Sequence, residues 1–152
     1  MASGNYPQAK VFGIEPDEER VLIASRVISN RGSVAVGRAP DLPEVEGLVD
    51  YVLMLDMLHL ISDKEVPIVF QRIYEKLEAD GTLLVRATIP SDKRNPWKRW
   101  IEVARLKITH APNRFRGEKE IVGFMEKTGF AVSVFASDTN GAEEKWFAGK
   151  KA

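Results

Sequence analysis

No cysteine occurs in the 152 residues. That excludes a disulfide scaffold, a thiolate nucleophile and a cysteine-ligated zinc or iron–sulfur site. Histidine is scarce as well: His59 and His110 are the only two, too few for a multi-histidine metal site. No apolar run approaches the ~20 residues that cross a bilayer. The opening residues Met1–Pro7 lack the basic and apolar regions of a secretory signal. These absences point to a soluble, cytoplasmic chain. Net charge is absent overall, yet unevenly so: residues 1–91 carry −5 and residues 92–152 carry +5. Such a split can set a basic face beside an acidic one, without naming a partner. What is there is apolar enough, at 44%, for one folded domain of this length and too apolar for disorder.

Periodicity and punctuation place the elements. Lys10–Glu15 is a short apolar run that predicts a buried strand. Asp17-Glu18-Glu19 suits a first helical turn, because acids complement the helix dipole. Val21, Leu22, Ala24, Ser25 and Ile28 then recur at helical spacing, and Gly32 reads as the left-handed residue that ends the helix. Ser33–Gly37 is a second strand, and Ala39–Pro43 a loop. Val49–Asp56 is apolar on both alternations, as a strand buried on both faces should be. Lys64–Ala79 reads as a helix, with Val66, Val69, Phe70, Ile73 and Leu77 on one face and Pro67 in its first turns. Thr82–Ala87 is a strand, Glu118–Thr128 a helix ended by Gly129, and Phe130–Phe135 a strand. Asn140-Gly141 marks a turn before a last strand over Lys145–Ala148, antiparallel to its predecessor. Alternation of this kind predicts a single α/β domain over residues 1–152, with a mostly parallel sheet and an antiparallel C-terminal hairpin.

Ligands of open α/β sheets bind at the carboxyl ends of the strands. Two predicted strands end there in an acid, Glu15 and Asp56. A carboxylate at such a tip can accept two hydrogen bonds from a ribose diol. The plain alternative for Glu15 is a solvated strand end or a helix cap.

Five segments in order resemble class I S-adenosylmethionine-dependent methyltransferases. They are Gly13-Ile14-Glu15-Pro16-Asp17, Gly37-Arg38-Ala39-Pro40-Asp41-Leu42-Pro43, Asp50 through His59, Leu77 through Val85, and Met125 through Phe130. No segment is specific alone; the order and spacing, across residues 9 to 149, carry the resemblance. It implies a Rossmann-like sheet of strand order 3-2-1-4-5-7-6 and S-adenosylmethionine as cofactor. It implies that Glu15 binds the ribose hydroxyls and that Pro16 packs against the adenine. Arg38 and Ala39 fall near the adenine amine, where the family usually has an acid before a small residue. Arg38 departs from that pattern, since a guanidinium cannot accept a hydrogen bond. Asp56 matches the strand end beside the methionine part of the cofactor and the methyl acceptor. His59, just beyond, is the candidate catalytic base; its plain alternative is a packing or capping residue.

The family's first strand and glycine-rich turn have no counterpart in residues 1–9, so the chain looks like such a domain without its opening unit. Lys10–Glu15 and Val49–Asp56 would then have open edges, which pair with each other in a six-stranded sheet or with another chain, including a second copy. The expectation is weak or no binding of S-adenosylmethionine by the isolated chain. Residues 92–117 read as a basic insertion or lid. Within it Trp97, Trp100, Ala104 and Ile108 fall on one helical face. The segment is either a surface helix with solvated charges, a lid for a small and anionic acceptor, or, over 93–108, a contact with an anionic membrane surface. Nucleic acid suits a neutral chain poorly. Three functions follow: methyl transfer to a small or lipid-like acceptor, a non-catalytic module acting by association, and, more weakly, a nucleotide-sugar or dinucleotide enzyme.

Overall fold

The structure is a computed structural model that describes residues 8–89, 114–136 and 144–151. The chain divides into two compact units, residues 1–47 and 48–152.

In the first unit, strands β1 (Val11–Glu15) and β2 (Gly32–Val36) form a parallel pair, joined by helix α1 (Glu18–Ile28). Asp17 caps α1: its carboxylate accepts the N–H groups of Glu19 and Arg20 at 2.9 and 3.2 Å. The helix ends at Ser29, with φ 54°, and not at Gly32 as the pattern suggested. Gly32 instead opens β2 with φ 150°, where a Cβ would lie 1.8 Å from the Val11 carbonyl oxygen. Close approach of two backbones, rather than a helix cap, is what this glycine serves. No residue of α1 is fully buried. Val21, Ala24 and Ile28 are half-buried, whereas Leu22 and Ser25, expected on the same face, are exposed. Two strands make too narrow a floor to cover a whole helix face.

The second unit holds strand β3 (Val49–Leu55), a single 3-10 turn (Leu58–Leu60), helix α2 (Val66–Lys76), strand β4 (Leu77–Thr88), helix α3 (Glu118–Thr128) and strands β5 (Phe130–Ala136) and β6 (Glu144–Lys151). The sheet order is β3-β4-β6-β5, with β3 parallel to β4 and β6 antiparallel to both its neighbours. The two sheets reproduce the 3-2 and 4-5-7-6 portions of the order implied by the resemblance. The direct pairing of β1 with β3 is not made: they belong to separate sheets.

Alternate residues of β4, Leu83, Val85 and Ala87, are buried with Val66, Val69, Phe70 and Ile73 of α2, Ile121 and Met125 of α3, Phe130 and Phe147. The period of two meets the period of 3.6 across one sheet face. Helix α2 is shorter than its pattern, because Leu77 already pairs with Val49. Its buried side chain therefore enters the core from a strand. The ladder is irregular between Val49 and Tyr51 and resumes at Tyr51 opposite Thr82. The intervening chain passes through Asp80, at φ 64°, and Gly81, where a Cβ would stand 2.8 Å from the Glu78 carbonyl oxygen. β3 is not buried on both faces. Met54 is buried, but Tyr51 is 67% exposed, and Leu53 and Leu55 are exposed with it. The basic amphipathic stretch 93–108 and the Asn140-Gly141 turn lie outside the described residues, and of the 92–117 insertion only residues 114–117 fall within them.

Candidate functional site

In the first unit, β1 delivers Glu15 to its carboxyl end, as expected. The Gly37 N–H donates to the Glu15 carbonyl at 3.1 Å, which ties the ends of β1 and β2 together. One carboxylate oxygen, Oε1, accepts the Asp17 N–H at 3.2 Å and lies 4.0 Å from the Arg20 guanidinium. The other oxygen, Oε2, has no partner among the described residues and can accept from a hydroxyl. Pro16 is exposed directly after it. Arg38 is exposed, and Ala39, which precedes a cis peptide to Pro40, is half-buried. These residues fit the ribose end of a nucleoside: a carboxylate with a spare acceptor at a strand tip, and small or cyclic residues around it.

In the second unit, Asp56 follows β3 with φ 53°. Its N–H donates to the Arg86 carbonyl at 3.0 Å, continuing the ladder by one bond past the strand. Its carboxylate pairs with the Arg86 guanidinium. That hydrogen bond raises the Arg86 pKa further, and the Arg86 guanidinium also lies 5.6 Å from the centre of the Trp146 ring. The acid expected beside the cofactor is thus engaged by a neighbouring strand.

His59 sits on the 3-10 turn three residues later. Its ring stacks on Phe115, centroids 5.3 Å apart and planes at 14°. Burial depresses its pKa below the ordinary 6.5, and the charge of Asp56 opposes that only in part. Burial disfavours imidazolium, so the ring is neutral at pH 7 and can accept a proton. Beside it is a small indentation of about 10 Å³, room for about one water, bounded by His59, Phe115, Ala87, Thr88, Arg114 and Ile121 among others.

Four residues at this end were not singled out in the sequence: Arg86, Asp63, Phe115 and Arg116. Arg114 pairs with Asp63 and, at 3.5 Å, with Glu120. Arg116 belongs to the basic segment 92–117, for which the sequence pattern suggests solvated or anion-attracting charges. Its side chain is 1% exposed and donates to the Leu58 and Ile61 carbonyls and to Asp63. No periodicity signals such partners, because they lie more than fifty residues upstream. Among the described residues no group of His, Asp and Glu could hold a metal, and no helix is long and apolar enough to cross a membrane.

Fold, sheet order and strand-end acids define a Rossmann-like α/β scaffold of methyltransferase type. The family profile described as "Methyltransferase domain" matches residues 1–81, just over half of the chain, and the chain belongs to that family. No curated protein matches. Among solved structures, an O-methyltransferase family protein from Burkholderia thailandensis superposes with TM-score 0.74 at 17% identity, over 99% of this chain and 46% of its own. Human N-acetylserotonin methyltransferase, solved with SAM, gives TM-score 0.69 at 20% identity, over 99% of this chain and 43% of its own. Magnesium protoporphyrin IX methyltransferase from Synechocystis PCC 6803, solved with SAH, gives 0.65 at 16%, over 95% of this chain and 65% of its own. The chain spans less than half of the first two, and the likeness at these identities is one of fold.

Proposed function

We propose that this chain serves S-adenosylmethionine-dependent methyl transfer to a hydroxyl of a small or lipid-like acceptor, with His59 as the base. The observation that supports this best is His59 itself. It is a neutral imidazole at the carboxyl end of a methyltransferase-type sheet, stacked on Phe115. S-adenosylmethionine supplies an electrophilic methyl group on its sulfonium. The residues of the chain bind the cofactor and remove a proton. Glu15 accepts from the ribose hydroxyls through its spare oxygen, beside Pro16, Arg38 and Ala39. Asp56 pairs with Arg86 through Oδ2 alone, and in this reading it stands beside the methionine part of the cofactor. His59 takes the hydroxyl proton as the oxygen attacks, a role worth about 10²–10⁴ in rate. Phe115 offers its exposed ring to an apolar acceptor body. Arg86, Arg114 and Arg116 each pair with a carboxylate, which favours an uncharged acceptor over an anion.

Calorimetric titration with S-adenosylhomocysteine tests the cofactor part. Binding is expected, weak enough to need high ligand concentration, and about tenfold weaker in Glu15→Ala, as loss of a hydrogen bond to a charged group implies. Absence of any heat from the wild-type chain would overturn the reading. It would favour instead a non-catalytic module acting by association, which the exposed Leu22, Ile23 and Val27 of α1 also suit.

A further inference from the structure

We propose that Arg116 and Phe115 are positioning residues for His59, clamping the turn that carries it from the segment that enters α3. The turn Leu58–Leu60 is one winding of 3-10 helix, held from within by the Leu60 N–H on the Met57 carbonyl at 2.9 Å and the Ile61 N–H on the Leu58 carbonyl at 3.3 Å. So short a winding has little stability of its own.

Three consecutive residues supply what it lacks. The Arg114 N–H donates to the His59 carbonyl at 2.9 Å. Phe115 lies face to face with the imidazole. Arg116 donates through Nη1 to the Leu58 carbonyl at 2.6 Å, and through Nη2 to the Ile61 carbonyl at 2.7 Å and Asp63 at 2.8 Å. The carbonyls of Leu58, His59 and Ile61 are therefore all held by residues 114–116. A guanidinium suits this task because its donors form a rigid planar fork, which fixes the spacing of the two carbonyls it bridges. The cost of burying the cation is offset by Asp63, whose other oxygen pairs with Arg114, and by Glu120, 3.9 Å from Arg116 Nε. A buried arginine spent on backbone carbonyls beside the one described histidine is an arrangement that fixes a ring, not one that binds an anion.

The proposal rests on His59 as the base, and its test is read on the imidazole, without cofactor or acceptor. Failure of the clamp and failure of the methyl-transfer reading are thus distinguishable. Among the described residues, the charged groups that face this end of the sheet include Asp56 after β3, Arg86 on β4, Asp63 before α2, Arg114 and Arg116 before α3, Glu120 on α3 and Glu144 on β6. Arg116→Lys keeps every one of these charges, but one ammonium cannot reproduce the fork. Phe115→Leu also leaves them intact, and keeps an apolar side chain at a position 38% exposed.

The His59 Cε1 proton is followed by NMR across pH in the full chain, and assigned with His59→Gln. In the wild type it titrates below 6.5 and is displaced upfield by the stacked ring. In both variants the titration moves up towards 6.5, as a loosened and hydrated ring regains its ordinary value, and Phe115→Leu loses the upfield displacement. Circular dichroism confirms that each variant is folded. Should Arg116→Lys not fold, Phe115→Leu decides alone. An unchanged titration in the folded variants would overturn the proposal and leave residues 115 and 116 a purely structural role.

Discussion

His59 is the residue where environment most changes chemistry. Burial holds it neutral, and Asp56 pulls weakly the other way. Below pH 6.5 the unfolded chain takes up a proton that the folded chain resists. The stability tied to this residue is therefore complete above that value and is lost as the pH falls through the lower, folded value. His59→Gln removes the titration. The fall in melting temperature between neutral and mildly acidic pH should be smaller in the variant than in the wild type, and an equal fall would contradict the burial argument. With S-adenosylmethionine and a hydroxyl acceptor, His59→Gln should lower turnover about 10²–10⁴-fold with cofactor affinity unchanged. Radiolabel transfer and calorimetry on the same preparations check both halves.

At the scale of elements, the caps do more than the helix interiors to set where the chain turns. Asp17 satisfies two free N–H groups of α1. Ser62 and Glu65 do a similar task ahead of α2: the Glu65 carboxylate accepts both the Ser62 N–H and its hydroxyl. Gly129 ends α3 with φ 111°, its N–H on the Glu126 carbonyl, and a Cβ there would meet the Tyr74 ring at 3.2 Å. Gly129→Ala should therefore destabilise by about 1–2 kcal/mol, the cost of a left-handed alanine. Urea unfolding gives the number, and a change near zero would show that the turn relaxes into another conformation.

At the scale of the whole molecule, the second unit concentrates the hydrophobic core, and the strand-end acids fall one in each unit. Phe147 is fully buried on β6, between β4 and β5. Phe147→Ala should cost about 3–5 kcal/mol, a large share of the ~5–15 kcal/mol that holds a domain folded. Denaturant titration would show the midpoint moved to lower denaturant in proportion. A loss below about 1 kcal/mol would mean that neighbouring side chains collapse into the space.

The sequence alone determined most elements, the methyltransferase family, and the positions of Glu15, Asp56 and His59 at strand ends. Those features are written in local signals: apolar periods, capping acids and glycines a few residues apart. It misjudged Gly32, because a contact with Val11 across the ladder, not the helix next to it, demands glycine there. It overstated the burial of β3, since an apolar pattern records what a strand can bury and not what covers it. Only the tertiary structure decided which charges are spent. Asp56 meets Arg86 thirty residues on, and Asp63 meets Arg116 fifty-three residues on. No local pattern relates such residues; folding brings them together, and sets Arg114 and Arg116 against the turn that carries one histidine.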